Sequence, residues 1–215
     1  MNILVTGCSR GVGLEICSVL LREGHTVYGV ARSYTDEFKA LEQQYSGKLF
    51  FKSIDLSDSE GARKSVFKEF ITNDIVLHGY VNNAAVAYDD IVTNLNLDRL
   101  KAMYEVNVFT PMMITKYAIR NMLLHKTKGS IIHISSISVH TGYKGLAMYA
   151  SSKGALEAFS KDTQILEGEG HQRRGRRRQT VGGDLEQDGR IIQAVIQASR
   201  GRDQRAVRGD PGQGP

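Results

Sequence analysis

Short β-rich runs alternate with helical segments as far as residue 161, and no other feature limits the fold as strongly. "NILV" (2–5) runs into a glycine loop, and "VGLEICSVLLRE" (12–23) reads as a helix ended by Gly24. "HTVYGVA" (25–31) is a second strand and "DEFKALEQQY" (36–45) a second helix. "KLFFKSI" (48–54), the helical "DSEGARKSVFKEFI" (58–71) with Asp58 as its cap, and "IVLHGYV" (75–81) follow. A long helix is expected over 98–124 with a kink at Pro111, then a strand over 130–135 and a helix over 149–161. Such alternation builds βαβ units, so the predicted class is α/β: a doubly wound, Rossmann-like parallel sheet in three layers, αβα. Parallel sheets bind ligands beyond the carboxyl ends of their strands. Chemistry is therefore expected just after Val5, Ala31, Ile54, Val81 and Ile134.

The loop after the first run, "TGCSRGVG" (6–13), places Gly7, Gly11 and Gly13 between a strand and a helix. Glycines let the backbone turn tightly and approach a pyrophosphate, and the next helix offers that anion unpaired N–H groups. The same residues spell G-x-S-x-G, with Ser9 at the position of a hydrolase nucleophile and His133 or His140 as the base to propose. An elbow on the first strand, however, has no upstream strand to complete an oxyanion hole. The hydrolase is the remote alternative.

Four further segments stand at strand ends or on helices: "NNAA" (82–85), "NV" (107–108), "ISS" (134–136) and "YASSK" (149–153). In this order and spacing, with the glycine loop, they resemble the short-chain dehydrogenase/reductase family over residues 1–165. The resemblance is greatest to the 3-oxoacyl-[acyl-carrier-protein] reductases. It implies an oxidoreductase that moves hydride between a nicotinamide and a carbonyl or secondary alcohol. It also implies Asn107, Ser136, Tyr149 and Lys153 as the catalytic set, with Asn107 helping to hold a relay water and Ser136 bonding the substrate oxygen. Gly7, Ser9, Arg10, Gly11, Val12, Gly13, Asp55, Leu56, Asn83, Ala84 and Ala85, with Tyr149 and Lys153, become cofactor contacts. The family more often has glycine where this chain has Ala85.

Residue chemistry agrees with these roles. Tyr149 and Lys153 lie four apart on one helix and share a face. A neighbouring ammonium is expected to lower the tyrosine pKa and make it a usable proton donor. Where NAD-preferring relatives carry an acid after the second strand, this chain has Ala31 and Arg32. A guanidinium suits a 2′-phosphate, so NADP(H) is favoured over NAD(H). A small carbonyl or alcohol is the expected substrate.

Composition limits the other classes. Cys8 and Cys17 give neither a disulfide framework nor metal-ligand spacing, so no metal is expected. No apolar run is long enough to span a bilayer, and "MNILVTG" lacks the form of a signal peptide, so the expectation is a cytoplasmic protein without a membrane. The family resemblance implies a homodimer or homotetramer.

The pattern changes near residue 165. All twelve lysines lie at or before Lys161, ten of sixteen arginines lie at or after Arg173, and no aromatic follows Phe159. "RIIQAVIQA" (190–198) suits a short helix, but the family's later strands and Pro-Gly turn have no counterpart. Residues 166–215 are therefore expected to be an atypical Arg/Gly-rich tail, best explained by a shift of reading frame near codons 162–170. On that expectation the sheet lacks its last strands, and the chain has little or no turnover even if it binds NADP(H). The run Arg173–Arg178 is not read as a nucleic-acid site. An RNA-tethered or non-catalytic dinucleotide-binding protein is the alternative from another class.

Overall fold

The structure, a computed structural model, describes residues 1–163. The expected tail, its 190–198 helix and any later strand lie outside the described residues.

The described residues hold five parallel strands: β1 (Asn2–Thr6), β2 (Thr26–Ala31), β3 (Leu49–Ser53), β4 (Gly79–Asn82) and β5 (Ser130–His133). Their order is β3-β2-β1-β4-β5. The chain winds outward from β1 to β3, then crosses back to β4, so the topological switch lies between β1 and β4. A ligand crevice belongs at that point.

Alternate strand residues face opposite layers. Ile3 and Val5 pack with Ile16, Cys17 and Leu20 of α1 (Gly11–Arg22) and Phe38 of α2 (Asp36–Gln44). Leu4 and Tyr80 face the other way, against Ala62 of α3 (Ser59–Lys64) and Ile114 and Ala118 of α5 (Thr110–Leu124). α6 (Ala147–Thr163) joins that second layer, where Phe159 meets His133 edge to face. The three-layer αβα expectation holds.

Three expected elements differ in kind or by more than two residues from the sequence reading. The run 75–81 is buried at Leu77, but only Gly79–Asn82 pairs as strand. Ahead of it, Asn121 of α5 takes over the backbone bonds: its Oδ1 accepts from Leu77 N–H at 2.9 Å and its Nδ2 donates to the Ile75 carbonyl at 3.0 Å. The expected helix 58–71 is α3 followed by a wider π turn, Ser65–Phe70. Asp58 caps it as expected, accepting from Glu60 N–H.

The long helix contains α4 (Leu97–Tyr104), a π turn (Glu105–Phe109) and α5. The irregularity falls one turn ahead of Pro111, which sits in the first turn of α5. Proline has no N–H to offer the carbonyl four residues back, here Asn107, and its ring crowds that carbonyl. The distortion therefore appears on the N-terminal side of the proline and places Asn107 inside the wide turn.

Candidate active site

The sequence-derived residues gather along the carboxyl edge of the sheet. The glycine loop follows β1, Arg32 follows β2, Asp55 and Leu56 follow β3, Asn83–Ala85 follow β4, and Ser136 follows β5.

Beside the switch point the floor is cross-linked. The Thr6 hydroxyl donates to Asn82 Oδ1 at 3.3 Å and accepts from the N–H groups of Asn83 and Ala84 at 3.2 and 3.3 Å. Asn83 Nδ2 donates to the carbonyls of Thr6 and Gly7 at 3.1 and 3.0 Å. Gly7 takes φ +67°, and a Cβ there would lie 2.8 Å from Ala84 Cα. A Cβ at Gly13 would run into the Gly7 carbonyl oxygen. The loop is thus packed down onto β4, and only glycine fits at these two contacts.

The end of α1 above this floor is suited to an anion. Arg10, its N-cap residue, makes no side-chain cap, and the first turn carries no acid. Its unpaired N–H groups and dipole favour phosphate. Val12 is half-buried in that first turn, and Ser9 is buried just before it. Arg10 and Arg32 are exposed and make no ion pair among the described residues. Asp55 is exposed and accepts from Ser57 N–H, while the buried Leu56 receives the Thr110 hydroxyl on its carbonyl at 2.8 Å. Ala85 is exposed. These groups fit a dinucleotide: the glycines leave room for one, the end of α1 suits a pyrophosphate, and the Arg10 and Arg32 guanidinium groups would suit a phosphate on its adenosine.

Tyr149 and Lys153 occupy one face of α6. Lys153 is 2% exposed, donates to the Ile134 carbonyl at 2.9 Å, and lies 5.9 Å from the centre of the Tyr149 ring. Burial holds its pKa down to about 8. The expectation that Lys153 lowers the tyrosine pKa is not met in this state. Burial raises the Tyr149 pKa and the Asp89 carboxylate raises it further. Asp89 is placed by its neighbours: Tyr88 packs in the small cluster that Tyr149 borders, and Asp90 N–H bonds the Gly145 carbonyl at 2.9 Å.

Ser136 accepts from Ser138 N–H at 3.2 Å and from the Ser138 hydroxyl at 2.9 Å, leaving its own proton to give away. Ser135 instead donates to Glu157. Asn107 is fully buried and its side chain is committed. It clamps both the N–H and the carbonyl of Val86 at 2.9 Å, and it donates to Ser152 Oγ at 3.0 Å. Ser152 in turn donates to the Tyr149 carbonyl at 2.7 Å. The asparagine thereby locks the wide turn against the helix that carries Tyr149.

The hydrolase alternative finds no support in this geometry. His133 Nε2 faces Thr115 at 3.5 Å and His140 Nε2 faces Glu157 at 3.0 Å, so both proposed bases are engaged away from Ser9.

Thr6, Thr35, Ser138, Ser152 and Asp89 were not singled out from sequence. Thr6, Thr35 and Ser152 owe their places to partners on another element or one helical turn away, and a serine or threonine carries no signal of that by itself.

Known proteins similar to this chain point to one family. The short chain dehydrogenase family model matches residues 1–170. L-xylulose reductase of Caenorhabditis elegans is 30% identical over 160 residues, covering 74% of this chain and 63% of that protein. L-rhamnose 1-dehydrogenase (NADP(+)) of Thermoplasma acidophilum is 30% identical over 170 residues, covering 78% and 66%. A short-chain dehydrogenase from Streptomyces avermitilis superposes with a TM-score of 0.70 at 27% identity, over 77% of this chain and 60% of that one. A strand-end site on a doubly wound sheet defines a dinucleotide-binding α/β protein. The chain belongs to the short-chain dehydrogenase family. It spans just under two thirds of the length of these two curated relatives, 63% and 66%. No helix among the described residues is long and apolar enough to cross a membrane.

Proposed function

We propose that the chain is an NADP(H)-dependent oxidoreductase acting on a carbonyl or secondary alcohol, with 3-oxoacyl thioesters as the first substrate class to test. The observation that carries this reading is the pairing on α6: a buried lysine fixed to the Ile134 carbonyl beside Tyr149, at the carboxyl edge of the sheet where Ser136 follows β5.

The nicotinamide, when bound, supplies or accepts the hydride. Gly7, Ser9, Arg10, Gly11, Val12, Gly13, Asp55, Leu56, Asn83, Ala84 and Ala85 would hold the cofactor, and Arg32 with Arg10 would hold a 2′-phosphate. In the reducing direction Tyr149 acts as the acid. Its raised pKa keeps the phenol protonated at neutral pH, ready to pass a proton to the substrate oxygen as that oxygen gains charge. Ser136 donates a hydrogen bond to the same oxygen and orients it. The Lys153 ammonium stabilises the phenolate left behind. Asn107 positions the tyrosine helix through Ser152. A cytoplasmic homodimer or homotetramer, packed through the long helix and α6, completes the reading, without nucleic acid or membrane.

The test is cofactor titration of the full 215-residue chain by NADPH and NADH fluorescence, followed by hydride transfer to acetoacetyl thioesters, sugars and steroid ketones. The expected result is tighter NADPH binding, with slow transfer that Tyr149→Phe abolishes while leaving NADPH affinity in place. Equal transfer by Tyr149→Phe refutes the mechanism, and a preference for NADH refutes the cofactor assignment.

A further inference from the structure

The two halves of the glycine loop are held differently. The first half is tied to β2 through backbone bonds, from Gly7 N–H and Cys8 N–H to the Val30 carbonyl at 2.7 and 3.5 Å. Further along, the Ser9 carbonyl receives a side-chain donor, the Thr35 hydroxyl, at 2.6 Å. Thr35 is also the N-cap of α2, accepting from Phe38 N–H at 3.3 Å. A hydroxyl has one proton and can accept through its lone pairs. Thr35 gives its proton to the loop and offers a lone pair to the helix, so one oxygen joins the two segments.

Those two segments carry the free arginines. Arg10 directly follows Ser9, and Arg32 precedes Thr35 by three residues. Two like charges on neighbouring loops repel, and the repulsion acts to spread the loops. A phosphate gripped by both needs their separation held.

We propose that Thr35 is a positioning residue for the 2′-phosphate of NADP(H), tying the segment that carries Arg10 to the one that carries Arg32; this rests on the cofactor reading above. NAD(H) lacks that phosphate, so its binding depends on the same glycine loop but not on the spacing of the arginines. A residue that only capped α2 would affect both cofactors alike, through stability.

The experiment compares Thr35→Val, which removes donor and cap together, with Thr35→Ser, which keeps both. Dissociation constants are measured by fluorescence for NADPH and NADH, and by calorimetry for adenosine 2′,5′-bisphosphate. Loss of one hydrogen bond that orders two charged contacts corresponds to about tenfold in affinity. Thr35→Val is expected to weaken NADPH and the bisphosphate by about tenfold and NADH by less than about twofold, while Thr35→Ser stays near wild type. Equal weakening of NADPH and NADH, or no weakening of either, overturns the assignment to Thr35. Failure of the unaltered chain to bind NADPH overturns the cofactor reading itself, and this inference with it.

Discussion

Among the histidines, acid should destabilise this protein most through His133. Its ring stands between the Tyr80 and Phe159 rings at 6.1 Å from each, its Nε2 meets Thr115, and its buried Nδ1 has no partner among the described residues. Burial, and then the nearby Lys153 ammonium, push its pKa down from 6.5 to about 4. The folded state therefore refuses a proton that the unfolded chain accepts below pH ~6.5. Stability from the neutral histidine is complete above that pH, falls as pH drops from about 6.5, and stops falling near the folded value of about 4. At pH 5 the loss is roughly 1.5 units at 1.36 kcal/mol each, or about 2 kcal/mol. A typical domain has only about 5–15 kcal/mol in total. The assay is urea unfolding at pH 7.5, 6 and 5 for the wild type and for His133→Phe, which suits the aromatic surroundings and cannot titrate. With an m-value near ~2 kcal/mol/M, the wild-type midpoint should fall about 1 M further than the variant's between pH 7.5 and 5. His25 and His78, whose pKa values are also lowered by burial, titrate in both proteins and cancel in the comparison. Parallel pH profiles for the two proteins would show that His133 takes up its proton without cost and that this reasoning is wrong.

Two further outcomes follow from the cofactor end of the site. Arg32→Ser removes a free guanidinium after β2 and should weaken NADPH by roughly 10–100-fold, the range of one charge-assisted contact, with little change for NADH; parallel losses in fluorescence titration would place Arg32 outside the phosphate site. Gly13→Ala drives a methyl group into the Gly7 carbonyl and should cost about 1–3 kcal/mol by chemical denaturation and abolish cofactor binding, whereas an unchanged urea midpoint would mean the loop moves freely.

Much of this protein is legible in its sequence because the signals are local. Val, Ile and Leu runs bounded by glycine or by capping residues report strands and helices directly, and four of the five strands among the described residues lie where the runs place them, β4 beginning four residues late. The alternation allows few topologies, and the residues ending each strand share one edge of a parallel sheet. Tyr149 and Lys153, four apart on a helix, meet as the spacing requires.

What only the tertiary structure decided involves partners distant in the chain. Asn121 shortens β4 by binding the backbone of Ile75 and Leu77, 46 and 44 residues away. Thr35 reaches Ser9 across 26 residues, and nothing in either residue type announces the bond. The Tyr149 pKa moves up rather than down because burial and Asp89, which folding brings near it, act in the same direction. Residue order determines which groups stand at the sheet edge. Their charge states and separations are set by desolvation and by contacts across the chain, which exist only once it has folded.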